Sequence, residues 1–187
     1  MLRNDNSDAV EKLWFGAGYY PEWVEPSQWV EDARRMSDLG LNCVRLGDFC
    51  WSRLEPREGC FQIDWLEDAI GVLGRHGVRS LLTLPTVGPP RWVSVNYPET
   101  LPVRRDGRRM PFGSRNHLCV NAPAAQRLNL QLLDALLTRF ARNPNLFAWA
   151  LGNEIGKHFD CYCPICIQAF HDWLRQRYQT IDRLNDA

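Results

Sequence analysis

Four short apolar segments that alternate with segments of helical periodicity predict an α/β protein with a parallel sheet in this chain of 187 residues. The apolar segments are continuous rather than alternating, as expected of strands that are covered on both faces. The long polar loops, rich in tryptophan, follow strands and not helices, as they do on the active face of a (β/α)8 barrel. Such a barrel typically needs about 250 residues, so the sequence predicts its first four β/α units, a partial barrel.

The four predicted strands are apolar along most of their length, and the first two are predicted to be buried. They cover residues 13–20, 41–46, 78–84 and 146–151. A doubly wound four-stranded domain is the competing interpretation. The turn after the first strand (YYPEW, 19–23) has no glycine-rich phosphate motif, which favours the partial barrel.

The four helices are predicted from apolar residues spaced three or four positions apart. The first runs from Pro26 to Gly40, the second from Asp64 to Gly77, the third covers 124–141, and the core of the fourth covers 169–178. Asp64 and Glu67 have the spacing of a capping box, in which two side chains bond the first backbone N–H groups. Residues from about 91 to 123 are predicted to form a long irregular connection. We divide the chain into a polar lead, 1–12, and the partial barrel, 13–187.

Composition and charge exclude several classes of protein. Lysine plus arginine and aspartate plus glutamate both number 22, and this balance argues against a nucleic-acid binder that neutralises phosphates. No run of about 18 apolar residues predicts a membrane span. The first ten residues lack an apolar signal region, and the cysteine count is seven, an odd number. We therefore expect a reducing, cytoplasmic location.

Three cysteines stand in the pattern Cys161-x-Cys163-x-x-Cys166, a spacing that lets one turn surround a tetrahedral zinc ion. Cys119 lies in the loop after the third strand, which neighbours the loop after the fourth in a barrel. Four thiolates would complete a structural Zn²⁺ site with no open position. His117 and His158 are alternative ligands, and a set of free buried thiols is the alternative without a metal.

Asn153 and Glu154 follow directly on the fourth strand. A carboxyl group at the carboxyl end of a barrel strand can act as a general acid or base, and apolar neighbours such as Trp149 would raise its pKa. Asn153 would hydrogen-bond a sugar hydroxyl; the alternative is an Asn-Glu pair that caps a helix. Arg45, in an apolar strand, is expected to pair with Asp48 or Glu154. Arg115 would hold a sugar hydroxyl or brace the cysteine loop.

Six motifs, in order, resemble the N-terminal half of the glycoside hydrolase family 42 β-galactosidases. They are GYYPEW (18–23), VRLGDFCWSRLEP (44–56), PTVGPPRW (85–92), FGSRNHLC (112–119), Asn153-Glu154 and the three-cysteine pattern 161–166. The likeness covers nearly all of the chain from residue 13 onward. The chain departs from the family pattern at Asp48, Gly152 and Ile155.

The resemblance implies a retaining hydrolase of terminal β-galactosides, with Glu154 as the general acid/base and with Asn153 and Arg115 contacting galactose. It also implies that Cys119, Cys161, Cys163 and Cys166 bind a structural zinc ion. The family fold is a (β/α)8 barrel followed by two smaller domains, and its members often form trimers, so a homo-oligomer is expected.

In that family the nucleophilic glutamate lies on a late strand, and no carboxylate of this chain matches it. A retaining mechanism needs both carboxylates, so we expect the 187-residue chain alone to hydrolyse no aryl β-galactoside. The alternatives are a catalytically inactive, zinc-stabilised fragment or pseudoenzyme, and a retaining β-glycosidase of the same barrel clan that acts on β-mannosides or β-glucosides.

Overall fold

A parallel four-stranded sheet forms the centre of the computed structural model, which describes residues 13–86, 88–113, 117–154 and 160–187. The strands are Gly16–Gly18 (β1), Cys43–Leu46 (β2), Arg79–Thr83 (β3) and Leu146–Ala150 (β4). Each strand pairs in parallel with the next, so the order across the sheet is β1-β2-β3-β4. A doubly wound sheet reverses its strand order at a switch point, whereas a β/α barrel keeps the order of the chain. The sheet is therefore that of a partial barrel.

Helices follow the strands in the predicted alternation. The α-helices are Trp29–Asp38 (α1), Trp51–Leu54 (α2), Asp64–Arg75 (α3), Arg91–Asn96 (α4), Pro123–Phe140 (α5), Pro164–Tyr178 (α6) and Ile181–Asn185 (α7). Single 3₁₀ turns lie at Pro21–Trp23, Pro26–Gln28 and Pro98–Thr100. Among the described residues, no helix has the length and apolarity that a membrane span requires.

The core lies between the sheet and helices α1, α3 and α5. The apolar face of α5 is buried as its spacing predicts, through Leu128, Leu132, Leu136 and Phe140. Helix α3 buries the equivalent face, and Gly77 follows it with a φ of +76°. This left-handed conformation is readily adopted only by glycine, and it turns the chain from α3 into β3.

The sheet is strongly curved. Trp14, just before β1, stacks on Phe147 of β4 with ring centroids 4.0 Å apart, although β2 and β3 lie between these strands. The guanidinium of Arg79, at the start of β3, lies 5.9 Å from the Trp14 ring centroid. These side chains meet at the amino ends of the strands, where they fill the concave side, as in the lower layer of a barrel.

Three local predictions are wrong. The capping box does not form, because α3 begins at Asp64 itself and the Asp64 and Glu67 carboxylates both bind Arg139 of α5. The first strand is shorter than predicted and exposed: Leu13 is 85% and Phe15 56% accessible, since the described residues leave one edge of β1 uncovered. The connection 91–123 is not wholly irregular, because it contains α4 and a 3₁₀ turn.

Candidate active-site rim and thiol cluster

The carboxyl ends of β2, β3 and β4 bring polar residues from separate loops to one rim. Asp48 follows β2, Thr83 ends β3, and Asn153 and Glu154 follow β4. Because each of these strands pairs in parallel with the next, their carboxyl ends lie side by side. The rim is the part of a β/α barrel at which substrates bind.

Arg45 of β2 connects these loops through its guanidinium. Its Nε donates to Thr83 Oγ1 at 3.1 Å, and one terminal nitrogen donates to Asn153 Oδ1 at 2.9 Å and forms an ion pair with the buried Asp48 carboxylate. The predicted pairing of Arg45 with Asp48 is confirmed. One side chain thereby joins β2, β3 and the loop after β4.

The contact with Arg45 fixes the orientation of the Asn153 amide. A guanidinium only donates hydrogen bonds, so the Asn153 atom that faces it is the oxygen. The amide nitrogen of Asn153 therefore keeps its donor capacity for another partner. This orientation suits an acceptor such as a sugar hydroxyl oxygen.

Glu154 lies in a backbone conformation that is uncommon for residues other than glycine. Its φ is +51°, in the left-handed region, two residues after Gly152 with a φ of +156°. Such conformations cost about 1–3 kcal/mol and concentrate at functional sites. The expectation that apolar neighbours such as Trp149 remove Glu154 from solvent does not hold among the described residues, because Glu154 is exposed.

Two other carboxylates near the rim are buried. Both oxygens of Glu55 are satisfied, one by Trp51 Nε1–H at 2.8 Å and one by the backbone N–H of Gly59 at 2.7 Å. Glu22, in the turn after β1, is the residue that sequence reasoning missed. Its two oxygens are shielded from solvent and accept no hydrogen bond from any other described residue, and burial raises the pKa of Glu22 against a smaller, opposing effect of its own backbone N–H. A carboxylate in the turn after the first strand, at the same rim, is the sequence feature from which Glu22 could have been predicted.

The four cysteines predicted to bind a metal come together. Their Sγ atoms all lie within 4.8 Å of one another, and Cys119 lies 3.8 Å from Cys163 and 3.4 Å from Cys166. The other three described cysteines, Cys43, Cys50 and Cys60, lie outside this cluster. Among the alternative ligands, His117 is buried against Phe112, and His158 falls outside the described residues, as does Arg115.

Hydrogen bonds and burial act on the thiols in opposite directions. Burial raises the pKa of Cys119 and of Cys166, while the backbone N–H of Asn121 favours the ionised form of Cys119. Burial also opposes ionisation of Cys163, but the backbone N–H of Cys166 and the neighbouring thiols outweigh it and lower the Cys163 pKa. Metal binding would favour the thiolate form of all four.

The cluster fits a soft, tetrahedrally coordinated metal ion. Sulfur atoms bound to Zn²⁺ at about 2.3 Å lie about 3.8 Å apart in a regular tetrahedron. Four thiolates form a closed set without an open coordination position, which is typical of a structural metal. Hard ions such as Ca²⁺ and Mg²⁺ prefer oxygen ligands, and the cluster offers none.

The thiol cluster also joins the loops after β3 and β4. The backbone N–H of Cys119 donates to Thr100 O at 2.6 Å, and the N–H of Tyr162 donates to Val103 O at 2.8 Å. The cluster therefore lies where segment 98–122 meets segment 160–166. The second of these segments follows the loop that carries Glu154.

Comparisons with known proteins agree with this geometry. The model of glycoside hydrolase family 42, described as β-galactosidase, matches residues 18–187. A β-galactosidase of Thermus thermophilus is 42% identical over 174 residues, which are 92% of this chain and 27% of that protein. The solved β-galactosidase of Halorubrum lacusprofundi superimposes with a TM-score of 0.88 at 37% identity, over 93% of this chain and 26% of its own. A catalytic mutant of a GH42 β-galactosidase from G. stearothermophilus superimposes with a TM-score of 0.84 at 30% identity, over 92% of this chain and 25% of its own. This chain thus spans about a quarter of the length of these relatives.

Proposed function

This chain belongs to the glycoside hydrolase family 42 of β-galactosidases, and on that premise we propose that it supplies the general acid/base side of a β-galactosidase active site. The observation that carries the proposal is the position of Glu154, exposed and in a left-handed conformation directly after β4. Asn153 beside it is oriented by Arg45. The relatives that match this chain are named β-galactosidases, which supports galactosides over mannosides or glucosides as the substrate class.

In the proposed reaction the carboxylic acid of Glu154 gives its proton to the glycosidic oxygen as the bond to the sugar breaks. The carboxylate then takes a proton from the water that hydrolyses the glycosyl-enzyme, which restores the acid. The amide nitrogen of Asn153 donates to a sugar hydroxyl oxygen, and Arg115 makes a further contact with the sugar. Arg45 positions Asn153 without touching the bond that breaks.

A retaining mechanism also needs a nucleophilic carboxylate about 5 Å from Glu154. Asp48 is paired with Arg45, and Glu55 is saturated by two N–H donors, so neither is available for that role. We infer that the nucleophile comes from a segment equivalent to the part of the relatives that this chain does not match. The 187-residue chain by itself is therefore expected to be inactive.

A chimera tests this proposal directly. The matching quarter of the Thermus thermophilus β-galactosidase is replaced by this chain, and hydrolysis of 4-nitrophenyl β-D-galactoside is measured beside the 187-residue chain alone. The chimera should be active and the chain alone inactive. In the chimera, Glu154→Ala should lower kcat by about 10²–10⁴-fold for poor leaving groups. For 4-nitrophenyl β-D-galactoside, whose leaving group needs little protonation, kcat/KM should be largely spared, whereas kcat should fall because no base activates the water that hydrolyses the glycosyl-enzyme. Added azide, which needs no base, should restore kcat.

Glu99→Gln is the matched control, because Glu99 is an exposed carboxylate in the loop after β3. It should leave kcat unchanged. An active chimera in which Glu154→Ala and Glu99→Gln behave alike would contradict the acid/base role. A folded chimera without activity on any β-galactoside would favour the second candidate, a zinc-stabilised fragment or pseudoenzyme. The complete thiol cluster is the observation that supports that candidate.

We further propose that Cys119, Cys161, Cys163 and Cys166 hold one structural Zn²⁺, since their four sulfurs lie within 4.8 Å of one another and Zn²⁺ prefers four thiolate ligands in such sites. The bound ion would supply a crosslink between two loops and no chemistry on the sugar. The described cysteines are all free thiols, which suits a reducing, cytoplasmic location. A homo-oligomer, a trimer in particular, remains a prediction from the family.

A further inference from the structure

Each sulfur of the thiol cluster faces an N–H donor, but the donors differ in kind. The sulfurs of Cys161 and Cys163 accept from backbone N–H groups, those of Val103 at 3.4 Å and of Cys166 at 3.5 Å. The sulfur of Cys166 accepts from the side-chain amide nitrogen of Asn121 at 3.3 Å. Among the described residues, the Asn121 amide is the side-chain N–H donor to the cluster, so a substitution can remove it and leave the backbone donors in place.

Asn121 is built into the site at two points. Its backbone N–H hydrogen-bonds the sulfur of Cys119, two residues before it. Its side-chain amide donates to the sulfur of Cys166, which belongs to the other loop. The residue is half-buried in the turn that leads from Cys119 into α5, where the N–H of Ala122 donates to Cys119 O at 3.1 Å. The turn therefore holds the amide in place before any metal binds.

The Cys166 sulfur is the one beside a surface depression. Asn121, Cys166, Ala169, Phe170 and Trp173 line this depression, and Asn121 forms one of its walls. Cys119 and Cys163, in contrast, are buried. Cys161 and Cys166 are both half-buried, so solvent and competing chelators approach the cluster at these two residues, and Asn121 covers the approach to Cys166.

We propose that Asn121 is a positioning residue of the metal centre: its side-chain amide orients the Cys166 thiolate, stabilises its charge and thereby sets the affinity for the metal. The inference rests on the proposed zinc site. Four thiolates around one divalent cation leave a net negative charge, and N–H donors to sulfur spread that charge. Loss of such an outer contact typically lowers metal affinity about 10–100-fold.

Two substitutions separate the hydrogen bond from simple packing. Asn121→Leu keeps the volume but removes the donor, and Asn121→Asp replaces the donor by a carboxylate oxygen that repels the thiolate. Zinc affinity of the 187-residue chain is measured by competition with a chromophoric chelator, and the thiolate-to-cobalt charge-transfer band is recorded after Co²⁺ loading. We expect about a 10-fold loss for Leu, a larger loss for Asp, and a shifted cobalt band in both.

Gln126→Leu is the matched control, because Gln126 is a nearby amide that donates to Val120 O at 3.1 Å and not to a sulfur. It should keep wild-type zinc affinity and cobalt spectrum. If both Asn121 variants keep the wild-type zinc affinity within two-fold, the role of Asn121 is overturned and the zinc site itself stands. A wild-type chain that takes up neither Zn²⁺ nor Co²⁺ would overturn the inference and the zinc site together. That result would leave the glycosidase proposal to be decided by the galactoside assay.

Discussion

At the scale of single residues, two carboxylates in neighbouring loops are buried in opposite chemical situations. Glu55 accepts an N–H at each oxygen, so its charge is compensated where it lies. Glu22 has neither oxygen hydrogen-bonded among the described residues. The charged group that favours its ionised form is Arg53, whose guanidinium donates to the Glu22 carbonyl at 2.5 Å, while Asp48 opposes it. Burial is the larger effect, and it raises the pKa of Glu22.

The raised pKa of Glu22 predicts how the stability of the fold changes with pH. A carboxyl whose pKa is higher in the folded than in the unfolded state stabilises the fold below its unfolded pKa, about 4.3, and that stability is lost as pH rises through the folded value. Glu22→Gln, which stays neutral, should therefore raise Tm at pH 7. The gain should shrink towards zero near pH 4. Thermal unfolding followed by circular dichroism across this range measures the difference.

Glu55→Gln is the opposing control for this prediction. The glutamine presents an NH₂ group to at least one of the two N–H donors, Trp51 Nε1 and Gly59 N, so stability should fall by about 1–3 kcal/mol. Tyr19 and Cys50 also face Glu22, but both are neutral at pH 7 because burial raises their pKa values. A pH-independent effect of Glu22→Gln would show that its charge is not what matters.

At the scale of elements, the sequence predicts what is periodic and misses what depends on distant partners. The apolar spacing of α5 places Leu128 and Leu136 on one buried face, and the structure agrees. The capping box fails because Arg139, on another helix, binds both Asp64 and Glu67. The cysteine spacing and the strand order together bring Cys119 to the other three.

Other features of the site carry no pattern in the sequence. The hydrogen bond from Asn121 to Cys166 joins residues 45 positions apart, and an asparagine in a turn looks like any other. The unsatisfied burial of Glu22 depends on how the turn after β1 packs against α2 and its loop. The left-handed backbone of Glu154, with a φ of +51°, has no signal in the apolar runs that predict the strands.

The thiol cluster makes a prediction about the two loops it joins. Removing the metal with a chelator under reducing conditions should loosen segments 98–113, 117–122 and 160–166, which are joined by the hydrogen bond from Tyr162 N–H to Val103 O and by the thiol cluster itself. Structural zinc sites contribute on the order of 10 kcal/mol in small domains, so Tm should fall by at least about 10 °C. Limited proteolysis should then cut these segments first.

Two serine variants define this effect. Cys161→Ser removes one ligand of the cluster and should reproduce the lower Tm without a chelator, whereas Cys60→Ser changes an exposed cysteine outside it and should not. Metal content measured on each purified protein separates loss of the ion from loss of packing. Equal Tm values for Cys161→Ser and the wild type, both at full reduction, would contradict a structural metal.

At the scale of the whole molecule, the curved sheet leaves much apolar surface uncovered. In the described part of the chain β1 and β4 each pair on one side, and Leu151, directly after β4, is 75% exposed. Helix α6, which follows β4, buries no residue completely, and its Phe170 and Trp173 are exposed and stacked on one another. Unpaired strand edges and apolar patches of this kind favour association between molecules.

We therefore expect the 187-residue chain to self-associate as its concentration rises, and the chimera with the Thermus thermophilus enzyme to do so less, because its added strands pair with these edges. Sedimentation velocity over a range of concentrations compares the two. If α6 contributes to the association, Trp173→Glu should weaken it. Arg183→Glu is the control: it adds at least as much negative charge at a position that is already polar and exposed, so it should not weaken the association. A chain that stays monomeric at high concentration would mean that the open edges of the sheet are protected within the molecule itself. The curvature that brings Trp14 onto Phe147 would then account for this protection, since it turns β1 and β4 towards one another.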